Sequence, residues 1–186
     1  MLHRTSDNNT ARIQYLRVRM SRADPIRQVR DGDNDTVTTM RVAVEPSLKT
    51  ADYPFHHDIR VRFAETDAMG IVHHSRYLPY LEEARVAYLR AIGHPYTEWR
   101  ADGIDSAVIE CALRYRQPLR FDDVVTVHLR LALVTRATFQ MAYLLTVDDQ
   151  PMATGVTVHA CTTPEGRPTS LPPWLAAFAT TDGSPT

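Results

Sequence analysis

The fold is decided by residues 62–77, which read RFAETDAMGIVHHSRY. The segment before them alternates, with Ile59, Val61 and Phe63 on one face, as in a half-buried strand. The segment after them repeats apolar residues at helical spacing from Tyr77 to Ile92. Residues 62–77 therefore form the loop that joins a strand to a helix.

The helix and the segments after it predict the rest of the architecture. Ser75 is the expected N-cap of the helix, and Gly93 and Pro95 end it. Residues 96–106 indicate a short helical turn, and about four alternating strands joined by tight turns follow. Such strands are antiparallel and need a cover on one face. We expect an α+β domain in which a curved antiparallel sheet of about five strands wraps around one long central helix.

Composition divides the chain into one domain and two tails. Residues 1–50 mix Arg, Asp, Asn, Thr and Ser without a sustained apolar period, so we expect an unstructured tail, with Met40 as a candidate start of the native protein. Residues 51–165 carry the strand and helix patterns and form the expected domain. Residues 166–186 read as a Pro-rich tail.

Charge and hydropathy argue against two classes of partner. The net charge is −1, and residues 51–186 carry twelve Lys and Arg against sixteen Asp and Glu, the reverse of a nucleic-acid-binding surface. No apolar run approaches the roughly 18 residues that a membrane helix needs. We expect a cytoplasmic protein that binds neither nucleic acid nor membrane. Cys111 and Cys161 read as small buried residues, although a disulfide between them stays open.

The loop concentrates ionisable groups at the start of a helix. Its carboxylates and histidines lie where unpaired N–H groups and the positive end of the helix dipole stabilise developing negative charge. This arrangement favours catalysis. The alternative is a solvated turn in which Glu65, Thr66 and Asp67 are surface residues and Gly70 supplies a positive φ.

The chain resembles the hotdog-fold acyl-CoA thioesterases, in the branch of 4-hydroxybenzoyl-CoA thioesterase. The resemblance spans residues 55–163 and rests on three segments. These are Phe63-x-Glu65-Thr66-Asp67-x-x-Gly70-Ile71-Val72-x-His74-x-x-Tyr77, Tyr80-Leu81-Glu82-x-Ala84-Arg85, and Tyr115-x-x-Pro118-Leu119-x-x-Asp122-Asp123. It implies hydrolysis of acyl-CoA without a metal or a cofactor.

The resemblance also implies roles for single residues. Asp67 matches the catalytic carboxylate, which attacks the thioester carbonyl or activates a water. The backbone N–H of His74, at the helix N-terminus, would polarise the carbonyl oxygen, and the His74 side chain would assist. The other residues expected to contact the substrate are Gly70, Ile71, Val72, His73, Tyr77, Arg116 and Arg136. Independently of the resemblance, Arg116, Arg120 and Arg136 could meet the phosphates of CoA, because the fork of guanidinium donors suits phosphate; the alternative is that each is a surface charge.

Two departures from the family pattern leave the substrate preference open. Glu65 stands where Asp is frequent, and His73 stands where an aromatic residue is usual. His73 should help to shape the channel for the acyl or pantetheine group.

Several alternatives stay open. Glu82 or Glu83 on the helix could be the catalytic carboxylate, and the pairs His56-His57 and His73-His74 could suggest zinc, although their spacing is wrong for a zinc site. The acyl group could be carried by an acyl carrier protein, or the protein could bind acyl-CoA without hydrolysing it. Exposed sheet edges indicate a homodimer or homotetramer.

Overall fold

The computed structural model describes residues 41–175, so the predictions for residues 1–40 and 176–186 lie outside the described residues. The elements of this part are β1 (Phe55–Arg60), α1 (Tyr77–Ala91), α2 (Tyr96–Ala101), β2 (Asp105–Tyr115), β3 (Val124–Val134), β4 (Thr138–Val147) and β5 (Gln150–Thr162). This order of strand, long helix, short helix and four strands confirms the prediction. Neither of these α-helices is long and apolar enough to cross a membrane.

The five strands form one antiparallel sheet in the order β1-β3-β4-β5-β2. β1 pairs with β3 from Phe55 opposite Leu129 to Arg60 opposite Val124, so the loop that follows β1 begins beside the start of β3. Among the described strands, β2 pairs with β5 alone and forms the other edge.

Helix α1 crosses the inner face of this sheet. Its buried residues recur at helical spacing: Tyr77, Tyr80, Leu81, Ala84, Arg85, Tyr88 and Leu89. The apolar ones share a core with inward-facing residues of the central strands, such as Leu129 and Met141. Burying each large apolar side chain contributes about 1.5 to 3 kcal/mol, so this stripe fixes the helix on the sheet. The predicted α+β arrangement is therefore present.

Residues 41–50 lie against the outer face of the sheet, although the sequence places them in the unstructured tail. The backbone N–H of Arg41 donates to Glu110 Oε2 at 2.8 Å, and that of Ala43 donates to Gln140 Oε1 at 3.1 Å. Gln140 Nε2 donates in return to the carbonyl of Arg41 at 2.6 Å. The prediction of an unstructured tail is wrong for residues 41–50. They are held by hydrogen bonds to polar residues far away in the sequence, and such bonds produce no apolar period in the segment itself.

Two residues predicted to be buried are exposed. β1 ends at Arg60 and residues Phe63–Glu65 form a 3₁₀ helix, so the alternation breaks and the Phe63 side chain is 75% exposed. Cys111 is exposed because it lies on the edge strand β2, whereas Cys161 is buried as predicted. Both thiols are free.

Part of the predicted Pro-rich tail packs on the domain. The N–H of Thr169 donates to the carbonyl of Cys161 at 2.9 Å, and Leu175 is a fully buried member of the core. The domain therefore extends at least ten residues past the predicted boundary, from 165 to 175.

Candidate active site

The loop between β1 and α1 closes on itself through backbone hydrogen bonds. Thr66 and Val72 form an antiparallel bridge, and the N–H of Asp67 donates to the carbonyl of Ile71 at 2.9 Å. The N–H of Gly70 donates to the carbonyl of Asp67 at 2.9 Å. Gly70 has a φ of +72°, a conformation that glycine adopts without strain. The loop therefore holds Asp67 in a tight, defined turn.

The segment between β2 and β3 braces this loop. The N–H of Val61 donates to the carbonyl of Asp123 at 2.9 Å, and that of Asp122 donates to the carbonyl of Val61 at 3.1 Å. The N–H of Val72 donates to the carbonyl of Leu119 at 2.8 Å. Both ends of the loop are thus attached to residues 119–123.

Glu65 anchors the loop to the helix. Its side chain is almost fully buried, and Oε2 accepts hydrogen bonds from the hydroxyl of Tyr80 at 2.6 Å and the backbone N–H of Arg62 at 2.8 Å. The Arg62 guanidinium donates to Oε1 at 2.6 Å. Burial would raise the pKa of Glu65, but the hydrogen bonds from Arg62 and Tyr80 outweigh it and lower the pKa below its usual value.

The sequence analysis did not predict that Glu65 anchors the loop. It noted Glu65 only as a departure from the family pattern. The signal that could have found it is the spacing of Arg62 and Glu65. The two residues form a capping box around the 3₁₀ helix, with Glu65 at its third position.

Asp67 is two residues further on and keeps free acceptor capacity. Its side chain is partly exposed, and the one hydrogen bond to its carboxylate within the described residues comes from the N–H of Met69 to Oδ1 at 2.8 Å. An ionised carboxylate has about four acceptor sites. Asp67 can therefore accept a proton or a further hydrogen bond.

The helix begins differently from the prediction at Ser75. A 3₁₀ helix, His74–Arg76, precedes α1, and His73 is its N-cap, with Nδ1 accepting from the N–H of Ser75. The predicted N-cap is wrong because this extra turn starts before Ser75. His74 is consequently the first helical residue, whose N–H has no acceptor inside the helix; none among residues 41–175 accepts from it either.

A cavity of about 260 Å³ lies beside this helix start. It is lined by Asp67, Met69, Ile71, Val72, His74, Tyr77, Tyr115, Arg116, Gln117 and Pro118. Six of these residues were predicted to be in the site: Asp67, Ile71, Val72, His74, Tyr77 and Arg116. Loop, helix and the end of β2 therefore meet at one place.

Tyr115 is the most informative of the residues that the sequence did not assign to the site. Its hydroxyl donates to the carbonyl of His74 at 3.2 Å, and its ring lies edge-on to that of Tyr77, with centroids 4.9 Å apart. Burial raises the pKa of both phenols, so both stay neutral. The segment from Tyr115 to Pro118 was part of the resemblance, but nothing in its spacing indicates contact with the helix start.

Three predicted site residues do not line the cavity. Gly70 forms the turn and His73 caps the helix, with its ring 4.0 Å from that of His74. Arg136 lies in the turn between β3 and β4, at the opposite end of β3 from the loop. Its placement in the site is not supported within this chain, because an eleven-residue strand separates it from Asp67.

The open alternatives for other catalytic or metal-binding groups find no support in the described part of the chain. Neither Glu82 nor Glu83 lines the cavity, and Glu83 Oε1 is 3.2 Å from His57 Nε2. Within residues 41–175, no three or more His, Cys, Asp or Glu side chains are grouped so that they could hold a metal ion.

The arrangement is suited to attack on an activated carbonyl. A carboxylate with free acceptor capacity lies on one wall, and His74, whose backbone N–H has no acceptor among residues 41–175, lines another at the helix start. The remaining walls are largely apolar, and apolar surroundings strengthen such interactions. This site, on a single antiparallel sheet with a central helix, would suit a hydrolase.

Comparisons with known proteins agree with this class. The model of the thioesterase-like superfamily matches residues 61–178, and the chain belongs to that superfamily. A protein of Aquifex aeolicus, named provisionally as an esterase, is 42% identical over 119 residues, which are 64% of this chain and 92% of that protein. The 1,4-dihydroxy-2-naphthoyl-CoA hydrolase of Synechococcus elongatus is 30% identical over 136 residues, 69% of this chain and 98% of its own.

A solved structure supports the same assignment. A thioesterase of Thermus thermophilus complexed with coenzyme A and Zn superposes with a TM-score of 0.59 at 26% identity, over 69% of this chain and 93% of that one. The expected resemblance, the hotdog fold and the assignment as a thioester hydrolase are thereby confirmed.

Proposed function

We propose that this protein hydrolyses acyl-CoA thioesters to the free acid and CoA, with Asp67 as the catalytic carboxylate. The observation that carries the proposal is that Asp67 and His74 line one cavity at the start of the helix. The relatives support the substrate class, because one is named as an acyl-CoA hydrolase and another was solved with coenzyme A.

Asp67 can act by either of two routes. As a nucleophile, a carboxylate oxygen attacks the carbonyl carbon, the C–S bond breaks and CoA leaves as a thiolate that takes up a proton; water then hydrolyses the resulting anhydride. As a general base, Asp67 takes a proton from the water that attacks the carbonyl carbon; the C–S bond then breaks, and the CoA thiolate that leaves takes up a proton. In both, the N–H of His74 donates to the carbonyl oxygen as it gains negative charge.

Other cavity residues position the substrate in this proposal. Ile71, Val72 and Tyr77 form apolar walls for the acyl group, and the Arg116 guanidinium at the cavity meets a CoA phosphate. The hydroxyl of Tyr115 holds the carbonyl of His74 and thereby the orientation of the helix start.

The test is thiol release from short, long and aromatic acyl-CoAs, beside the same acyl groups on an acyl carrier protein. We expect turnover with at least one acyl-CoA at a higher kcat/KM than with the matching carrier-bound group. If thiol is released only from the acyl carrier protein, the substrate is the carrier-bound acyl group and not acyl-CoA. Tight binding of CoA without release of thiol from any substrate would contradict an enzymatic function.

We further propose that two copies associate through the edge strand β2 in the cytoplasm. β2 is eleven residues long, and its exposed side chains include Val108, Ile109 and Tyr115, a combination that invites pairing with another edge. The other edge, β1, has only six residues, among them His56, His57, Asp58 and Arg60. Light scattering after size exclusion should give a dimer or a tetramer of dimers, and a stable monomer would contradict this.

A further inference from the structure

The sheet carries buried apolar residues on both of its faces. Along β4, Met141 and Tyr143 belong to the core that includes helix α1, whereas Ala142 and Leu144 belong to a separate cluster on the outer face. On β5, Val156 lies opposite Ala142 and continues that outer face. The three outer residues are at most 3% exposed. A sheet that is apolar on both faces needs a cover on each of them.

Residues 41–53, which we call the strap, cover the outer face within the described part of the chain. Tyr53 is buried in one cluster with Ala142 and Leu144, and Val44 packs against the same cluster. A cavity of only about 60 Å³ lies between the strap and strands β2 and β5. The strap therefore packs closely on this face.

Polar side chains of the sheet hold the strap in place. Glu110 Oε2 accepts a hydrogen bond from the N–H of Arg41 at 2.8 Å, and Gln140 Nε2 donates to the carbonyl of Arg41 at 2.6 Å. Arg114 Nη1 donates to Glu45 Oε1 at 2.7 Å, in an ion pair whose two side chains are 66% and 68% exposed. The face under the strap thus carries a negative and a positive group of its own, Glu110 and Arg114.

A second copy of the chain is suited to the same face. Two sheets can pack face to face with their strands within about 30° of each other, so that the facing residues interdigitate. Glu110 and Arg114 lie four residues apart on β2, and each contacts the strap from the outer face. About a two-fold axis, Glu110 of each copy would face Arg114 of the other. An apolar face with two such complementary ion pairs favours this chain as its own partner.

We propose that the strap occupies, within one copy, the place in which the outer face of a second copy would pack, and so prevents sheet-to-sheet stacking. The strap is joined to β1 by the chain itself, so it reaches the face at a high effective concentration, which a second copy in solution lacks. Stacking uses the face of the sheet, whereas the proposed pairing of β2 uses its edge, so the two do not depend on each other.

The first test displaces the strap in the full chain with the double substitution Val44→Asp/Tyr53→Ser. Both changes lie on the strap, so the outer face and the core beneath α1 keep their residues, and a carboxylate against apolar side chains is strongly unfavourable. Light scattering should give twice the wild-type mass at the same concentration. The matched control Leu48→Asp adds a carboxylate at a strap position that is 45% exposed, and it should keep the wild-type mass. A folded double variant with the wild-type mass would overturn the proposal.

A milder variant keeps the proposal testable if the double variant does not fold. Glu45→Lys reverses one charge of an exposed ion pair, so it places two positive side chains together and loosens the strap without touching the core. Its mass should rise towards twice the wild-type value at high protein concentration, where the wild type keeps its mass. If the double variant is unfolded, a wild-type mass of Glu45→Lys at every concentration would overturn the proposal.

The last test separates specific stacking from aggregation. Adding Arg114→Glu to the double variant places two carboxylates opposite each other across the stacked faces, so the mass should return to the wild-type value. Adding Glu110→Arg as well restores opposite charges and should restore the doubled mass. A doubled mass that persists with Arg114→Glu alone would overturn the stacked arrangement.

The mass of the wild type separates this proposal from the edge-paired dimer. A monomeric wild type would overturn the pairing of β2 edges, and the strap variants should then change from monomer to dimer. A dimeric wild type whose mass the strap variants share would overturn the role of the strap alone.

Discussion

Glu65 and Asp67 lie two residues apart in one loop, yet their surroundings are opposite. Glu65 is buried and accepts hydrogen bonds from the Tyr80 hydroxyl and from both the backbone and the side chain of Arg62. Asp67 is partly exposed and lines the cavity, and within residues 41–175 its carboxylate accepts one hydrogen bond, from Met69. Because the hydrogen bonds to Glu65 leave it little free acceptor capacity, Glu65 is suited to stabilising the loop. Because Asp67 keeps free acceptor sites, it is suited to accepting a proton or attacking a carbonyl. In the proposed mechanism, the anchor and the reactive group are thus separate residues of the same turn.

The largest expected effect is on catalysis at Asp67. Asp67→Asn keeps the size and the hydrogen bond to Met69 but cannot act as nucleophile or base, so kcat should fall by about 100- to 10,000-fold. The melting temperature should stay at the wild-type value. Thiol release measures the loss of kcat, and thermal unfolding of the same preparation measures the melting temperature. An Asn variant that loses stability along with activity would mean that Asp67 is an anchor like Glu65.

The next effect concerns the backbone N–H of His74. Pro fits the first position of a helix, and His73 before it has φ −61° and ψ 136°, an extended conformation compatible with a following Pro. His74→Pro therefore removes the N–H with little strain, whereas the control His74→Ala keeps it. We expect kcat of the Pro variant to be about 100- to 1000-fold below that of the Ala variant. Similar kcat values would show that this N–H does not stabilise the reacting oxygen.

Removing the anchor should act on stability more than on chemistry. Glu65→Gln loses the charge that holds Arg62 and Tyr80, and hydrogen bonds to charged groups contribute about 1.5 to 3 kcal/mol. The free energy of unfolding, measured with urea at pH 7, should fall by about 3 kcal/mol. If Glu65→Gln lowers the free energy of unfolding by less than Asp67→Asn does, the roles of the two carboxylates are reversed.

The same variant predicts a pH dependence. The pKa of Glu65 is lower in the folded protein than its ordinary value of about 4.3, so the folded state prefers the ionised form. Its stabilisation is complete above that ordinary value and is lost as the pH falls through the lowered pKa. The difference in unfolding free energy between wild type and Glu65→Gln should therefore shrink below about pH 4. A difference that stays constant down to about pH 3 would contradict the assignment.

The smallest effect is expected for Tyr80→Phe, which removes a single hydrogen bond to Glu65 and leaves the packing of the ring. We expect a loss of about 1.5 kcal/mol in urea unfolding. In the background of Glu65→Gln the same substitution should cost less, because its acceptor is no longer charged. Additive losses in the double variant would show that the two side chains do not interact.

Periodicity predicted those parts of the fold that depend on burial. The alternating strands and the apolar stripe of α1 were predictable because a sheet and a helix impose fixed periods on the residues they bury. Residues 41–50 were not, since they are held by Glu110 and Gln140, polar residues far away in the sequence. Phe63 kept the alternating pattern although the strand had already ended at Arg60.

The site was predictable where it is local in sequence. Asp67, His74 and Tyr77 come from one loop and reach one cavity, whereas the roles of Tyr115 and Glu65 depend on contacts that only the folded chain creates. Arg136 was predicted from its charge alone, and charge does not say at which end of a strand a residue lies.

The most direct measurement of the central claim is chemical rescue with formate. Asp67→Ala removes the carboxylate and leaves a space in which formate can act as the base, while Glu65→Ala opens a space at the anchor. We predict that thiol release by Asp67→Ala rises with formate concentration and that Glu65→Ala does not respond. Wild-type turnover by Asp67→Ala without formate, or rescue confined to Glu65→Ala, would contradict the claim that Asp67 is the carboxylate that acts on the thioester.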